Sequence, residues 1–225
     1  MVMIQPAQPR NVGILIFPDV EILDFCGPFE VFASATLPAK TEGGPETRLF
    51  EVFTIAERSQ LVACRGGLLV QPNHTLDDHP PLDLVVIPGG YGTRCQQENP
   101  VILDWIARQR RAGALTTSVC TGAFLLGAAG LLDGLRATTH WTTIDGLRTH
   151  LPTTDVLADA RVVDEGEIIT SAGVSAGIDL ALHVVRRLHG DEVARRTARD
   201  MEYDGGGGNY SLRSWWQGGC SLRSR

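Results

Sequence analysis

The first regular stretch of the chain is Val12-Gly-Ile-Leu-Ile-Phe17, an unbroken apolar run that stops at Pro18. Such a run lacks the polar alternation of a half-exposed strand and predicts a strand covered on both faces. Residues 49–55, 82–87 and 115–119 read as further buried strands. Residues 23–35 and 101–111 instead place apolar side chains at helical spacing, and residues 175–188 and 191–201 predict two more helices. Thr121-Gly-Ala-Phe-Leu-Leu-Gly-Ala-Ala-Gly130 is small and apolar all round, as a buried helix is. Residues 161–163 and 167–171, split by Asp164-Glu-Gly166, predict a hairpin, while residues 64–72 fit a hairpin or an edge strand.

Strands alternating with helices predict an α/β fold: a mostly parallel, flavodoxin-like sheet sandwiched between helices. Ligand sites in such folds gather at the carboxyl ends of the strands. Residues 1–10 are expected to form a flexible lead-in and residues 11–204 a single α/β domain. Residues 205–225 begin with four glycines, lose all periodicity and are expected to form a flexible tail. No internal repeat is found.

Composition narrows the function. With 43% hydrophobic and 20% charged residues among 225, the chain is an ordinary globular protein. Its formal charge of −6 argues against an electrostatic grip on nucleic acid or an anionic membrane. The densest basic group, Arg108, Arg110 and Arg111, fits a solvated helix face. No run approaches the roughly 18 apolar residues that cross a bilayer. Five cysteines, an odd number without a CxxC pair, predict free thiols in a reducing cytoplasm. No His/Cys/carboxylate cluster has zinc-site spacing.

The strongest chemical signal is Ser118-Val-Cys120-Thr-Gly-Ala123, where a buried strand runs into a helix with no intervening loop. That arrangement is a nucleophile elbow, in which a tight turn lifts a nucleophile clear of the sheet. A thiol at a helix N-terminus is expected to have a lowered pKa, and the same N–H groups, Thr121's among them, are expected to hold a developing anion. Ile87-Pro-Gly89-Gly90 ends another buried strand and offers further backbone donors. Asp24 follows the first strand closely. It fits a proton donor beside the thiol, with a pKa raised by burial and like charge, and equally a first-turn helix acid. His140, in Ala137-Thr-Thr-His-Trp141, fits a partner for Cys120 and equally a structural histidine held by neighbouring hydroxyls. Cys26, one turn from Asp24, fits simple burial.

In combination these motifs resemble the ThiJ/PfpI superfamily, a branch of the class I glutamine-amidotransferase-like fold, from about Val12 to Asp204. The motifs are Phe17-Pro-Asp-Val with Leu-Asp24, Ile-Pro-Gly-Gly90, Ser-Val-Cys120-Thr-Gly, Ala-Thr-Thr-His140-Trp, Ile-Thr-Ser171-Ala-Gly-Val and Met-Glu-Tyr203. The nearest branch is that of the isonitrile hydratases, which match at Cys120, Asp24 and Thr121. The resemblance implies attack of the Cys120 thiolate on an isonitrile carbon, with a proton from Asp24 and backbone support from Gly90 and Thr121. It implies no metal or organic cofactor, and a homodimer. Two alternatives stay open: a cofactor-free glyoxalase or deglycase using Cys120 and His140, and a ligand or redox sensor like the N-terminal half of AraC-type regulators. Where relatives continue past Glu202-Tyr203 into a proline- and Phe-containing segment, this chain has Gly205–Gly208.

Overall fold

The structure, a computed structural model, describes residues 8–39 and 44–204. Seven strands form the main sheet: β1 (Arg10–Leu15), β2 (Phe50–Ala56), β3 (His74–Thr75), β4 (Leu84–Ile87), β5 (Leu115–Val119), β6 (Val162–Asp164) and β7 (Ile168–Ser171). Their order is β6-β7-β5-β4-β1-β2-β3, and every pairing is parallel except β6 with β7. β4 is buried at all four positions and β5 at four of five. Successive side chains alternate between faces, so the sheet is covered on both sides.

Helices α1 (Ile22–Ser34), α6 (Ala176–His189) and α7 (Asp191–Asp200) pack together as one group. A second group comprises α2 (Thr93–Gln96), α3 (Pro100–Arg111) and α4 (Gly122–Ala128). In α3 the apolar stripe sends Ile102, Trp105 and Ile106 into the core, while Arg108, Arg110 and Arg111 pair with carboxylates at the surface. None of the helices among the described residues is long and apolar enough to cross a membrane.

Several boundaries move. β1 begins at Arg10, not Val12, because Arg10 and Asn11 pair in register with Phe50 and Glu51; backbone pairing extends the strand past its apolar run. β4 begins at Leu84 rather than Leu82. Residues 62–70 form the hairpin of the two alternatives: Val62–Ala63 pairs antiparallel with Leu69–Val70 around the turn Arg65–Gly67, apart from the main sheet. The predicted hairpin before α6 is β6–β7, beginning at Val162 and Ile168. Short elements without a readable period were missed, namely β3, α2 and α5 (Ile144–His150). The expected lead-in, up to residue 7, and the tail with Gly205–Gly208 lie outside the described residues.

Candidate functional site

The carboxyl ends of β4 and β5 lie side by side, and the candidate residues sit on them. Cys120 follows β5 directly with φ +58°, a left-handed conformation that disfavours an L-residue by roughly 1–2 kcal/mol. The turn is held at both ends: the Cys120 N–H reaches the carbonyls of Ser171 and Ala172 at 3.2 Å each, and the Thr139 hydroxyl donates to the Cys120 carbonyl at 2.8 Å. A side chain at Gly122 would place its Cβ 2.0 Å from the Ile87 carbonyl oxygen, so glycine alone lets α4 begin this close to β4. The elbow is therefore built from the backbone outward.

Asp24 approaches from the first turn of α1, which Glu21 starts without a side-chain cap. It is fully buried. Its Oδ2 accepts the Gly89 N–H at 2.9 Å, and a Cβ on residue 89 would collide with that oxygen and with the Thr121 nitrogen. Its Oδ1 is buried without a hydrogen-bond partner of normal geometry. The two readings of Asp24 thus coincide, since it is a first-turn acid and it faces Cys120.

The charges of the pair are set mainly by burial. Burial pushes the Asp24 carboxyl up to about 7, helped by the nearby Glu21 charge and opposed by the Gly89 N–H, the Cys120 side chain and the Val174 N–H. Burial and then the Asp24 charge push the Cys120 thiol up to about 12, against the Thr121 N–H and hydroxyl. The expected lowering of the thiol therefore does not occur. Helix α4 has only seven residues, and the carboxylate faces the same sulfur. Between those limits the pair holds one proton, which rests on the Cys120 sulfur, the group with the higher pKa. When that proton passes to Asp24, the carboxylate charge no longer opposes the thiolate, and burial alone does.

The Thr121 hydroxyl accepts the Gly90 N–H at 3.0 Å and the Thr93 hydroxyl at 3.2 Å. The Gly90 and Gly89 donors are thus engaged within the protein, and the Thr121 N–H and hydroxyl are the groups that act on the sulfur. His140 lines the same cleft but makes no hydrogen bond to Cys120. Its Nδ1 lies 2.8 Å from the Thr142 hydroxyl, the arrangement of a structural histidine. Cys26 and Cys64 are free thiols, and no three His, Cys, Asp or Glu side chains among the described residues converge on a metal position.

The cleft has a volume of about 840 Å³. Phe124 and His150 form part of its wall. On its rim Tyr91 carries the Arg65 guanidinium 4.5 Å from its ring centre, and Arg65 also pairs with Glu21 at 2.5 Å. Sequence reasoning missed these residues and Val174. The position of Val174, just past the carboxyl end of β7, is a signal that would have found it.

A model of the DJ-1/PfpI family matches residues 10–187. The isonitrile hydratase of Pseudomonas putida is 38% identical over 195 residues, 86% of this chain and 78% of that protein. The HTH-type transcriptional regulator GbdR of Pseudomonas aeruginosa is 28% identical over 203 residues, 89% of this chain but 52% of the regulator, so the chain spans about half of its length. The crystal structure of a ThiJ/PfpI family protein from Pseudomonas syringae superposes with a TM-score of 0.76 at 29% identity, covering 91% of this chain and 82% of that one.

Proposed function

This chain belongs to the DJ-1/PfpI family, and we propose that within it the chain hydrates isonitriles, R–N≡C, to N-substituted formamides. The observation that carries the reading is the buried Asp24 facing Cys120, whose strained turn opens on the cleft. The likeness to the P. putida isonitrile hydratase supports it. The terminal carbon of an isonitrile accepts a nucleophile and a proton at the same atom, and the pair offers one of each.

In the first step the pair's one proton passes from the sulfur through Asp24 to the terminal carbon as the Cys120 sulfur bonds to that carbon, giving the thioimidate Cys–S–CH=N–R. The Thr121 N–H steadies the sulfur as its charge changes. In the second step water adds to the same carbon; Asp24, now a carboxylate, takes a water proton and passes it to the nitrogen. Finally the S–C bond breaks, the sulfur leaves with its electron pair, and the hydroxyl proton returns to the Asp24–Cys120 pair. R–NC and water have become R–NH–CHO, and the protein is unchanged. The Thr121 hydroxyl is placed to order the water. Asp24 and Cys120 are the catalytic residues in this reading, and the homodimer implied by the resemblance is carried with it, to be checked by sedimentation.

Incubation with cyclohexyl isocyanide, following formamide, tests the proposal. Turnover lost in both Cys120→Ala and Asp24→Asn supports it. Cys120-dependent loss of methylglyoxal without isocyanide turnover would move the chain to dicarbonyl chemistry. The likeness to GbdR supports a second reading, a ligand or oxidant sensor. Silence on both substrates, with rapid peroxide oxidation of Cys120, would favour it.

A further inference from the structure

A second strained turn meets the reacting pair from the end of β7. Val174 lines the cleft with φ +54°, and a β-branched residue is rarely found in that left-handed region. Its N–H acts on the Asp24 carboxyl. Strain of this kind persists only where the surroundings over-determine it.

Those surroundings form a chain of polar contacts. The Ala172 N–H donates to the Arg161 carbonyl at 2.9 Å, and Arg161 Nη2 donates to the Ser175 hydroxyl at 3.2 Å. Arg161 Nε meets Asp179 Oδ2 at 2.5 Å, and the Tyr203 hydroxyl donates to Asp179 Oδ1 at 3.1 Å. Tyr203 is itself aimed by the turn that closes α7. Glu202 is left-handed at φ +50°, with its N–H on the Arg199 carbonyl at 2.9 Å and the Tyr203 N–H on the Ala198 carbonyl at 2.8 Å. This is a Schellman closure with glutamate where glycine is usual. An L-residue in left-handed backbone thus stands at each end of the contacts, which run from the end of α7 to Ser175, the residue after Val174; on the other side of the same turn the Ala172 carbonyl accepts the Cys120 N–H at 3.2 Å.

We infer that Arg161, Asp179 and Tyr203 are positioning residues that lock the turn at residues 173–175, keep the Val174 N–H on the Asp24 carboxyl, and so govern the proton held by Asp24 and Cys120. The inference rests on Asp24 and Cys120 working as a pair, as in the reading above, but not on which substrate they take. The charged and titratable groups around the pair are Glu21 at the start of α1, Arg65 paired to it and, elsewhere along the cleft, Tyr91, Arg94, Glu98, His140 and His150. The variants below leave all of them in place. A merely structural network would staple α7 to α6 and leave the pair unaffected.

The test is the pH dependence of Cys120 alkylation by iodoacetamide, read at that residue by mass spectrometry, in the full chain. Loss of a hydrogen bond to the carboxylate favours its neutral form, so the midpoint moves up. Tyr203→Phe and Arg161→Met are each expected to raise it by about half a pH unit or more, and Arg161→Lys to restore most of the shift. An unmoved midpoint in both variants, whatever happens to their melting temperatures, would overturn the inference, as would a downward shift. No isonitrile enters this assay, so its failure and that of the hydratase reading are told apart.

Discussion

Strands β4 and β5 are neighbours and both buried, yet they end differently. β4 runs out through Pro88, Gly89 and Gly90, and the glycines turn the chain without steric penalty. β5 runs into Cys120, an L-residue forced to φ +58°. The glycine end shapes the site, and the strained end supplies its nucleophile. Val174 is left-handed too, so two of the four such non-glycine residues among the described residues line the cleft. Both are held there by the surrounding structure.

Replacing the strained residue by the relaxed one gives the sharpest form of the contrast. Cys120→Gly is expected to abolish formamide production while raising stability to chemical denaturation by about 1 kcal/mol, because the left-handed turn loses its penalty. The converse change, Gly122→Ala, drives a Cβ into the Ile87 carbonyl. A loss of about 3 kcal/mol, or failure to fold, is expected on denaturation.

Asp24 sharpens the comparison through pH. Folding raises its carboxyl from 3.8 to about 7, so the native state binds the proton more tightly than the unfolded chain does. The stability this brings is complete below about pH 4 and is lost as the pH rises through 7. Asp24→Asn removes that loss. The variant is expected to match the parent at low pH and to exceed it by on the order of 4 kcal/mol above pH 7. Its turnover falls by about 100-fold or more, since it has no proton to transfer. Thr121→Val has the smallest effect. It strands the Gly90 N–H for about 1 kcal/mol and slows turnover through the lost hydroxyl, while Thr121→Ser is expected to retain both.

The sheet was legible because its strands are short and rich in β-branched residues between turn signals; residues 115–119, three of them Thr or Ser, fall where their sequence puts them. So did the elbow, since a strand meeting a helix at Cys120 leaves the chain only one way to turn. What the sequence hid follows from three-dimensional approach. Gly90 reads as an oxyanion donor until the fold brings the Thr121 hydroxyl onto its N–H. The thiol reads as acidified by its helix until the fold buries it against Asp24. Arg161, Asp179 and Tyr203 meet only because α6 packs against both α7 and β6, and no local period marks such a meeting.

The central claim is that Asp24 holds a proton for Cys120 near neutral pH. It is tested most directly by carbon-13 NMR titration of the Asp24 carboxyl in the wild-type chain, assigned with Asp24→Asn. A midpoint near 7 is the expected result. A midpoint near 3.8, where an exposed aspartate titrates, would contradict it, because Asp24 would then have no proton to give.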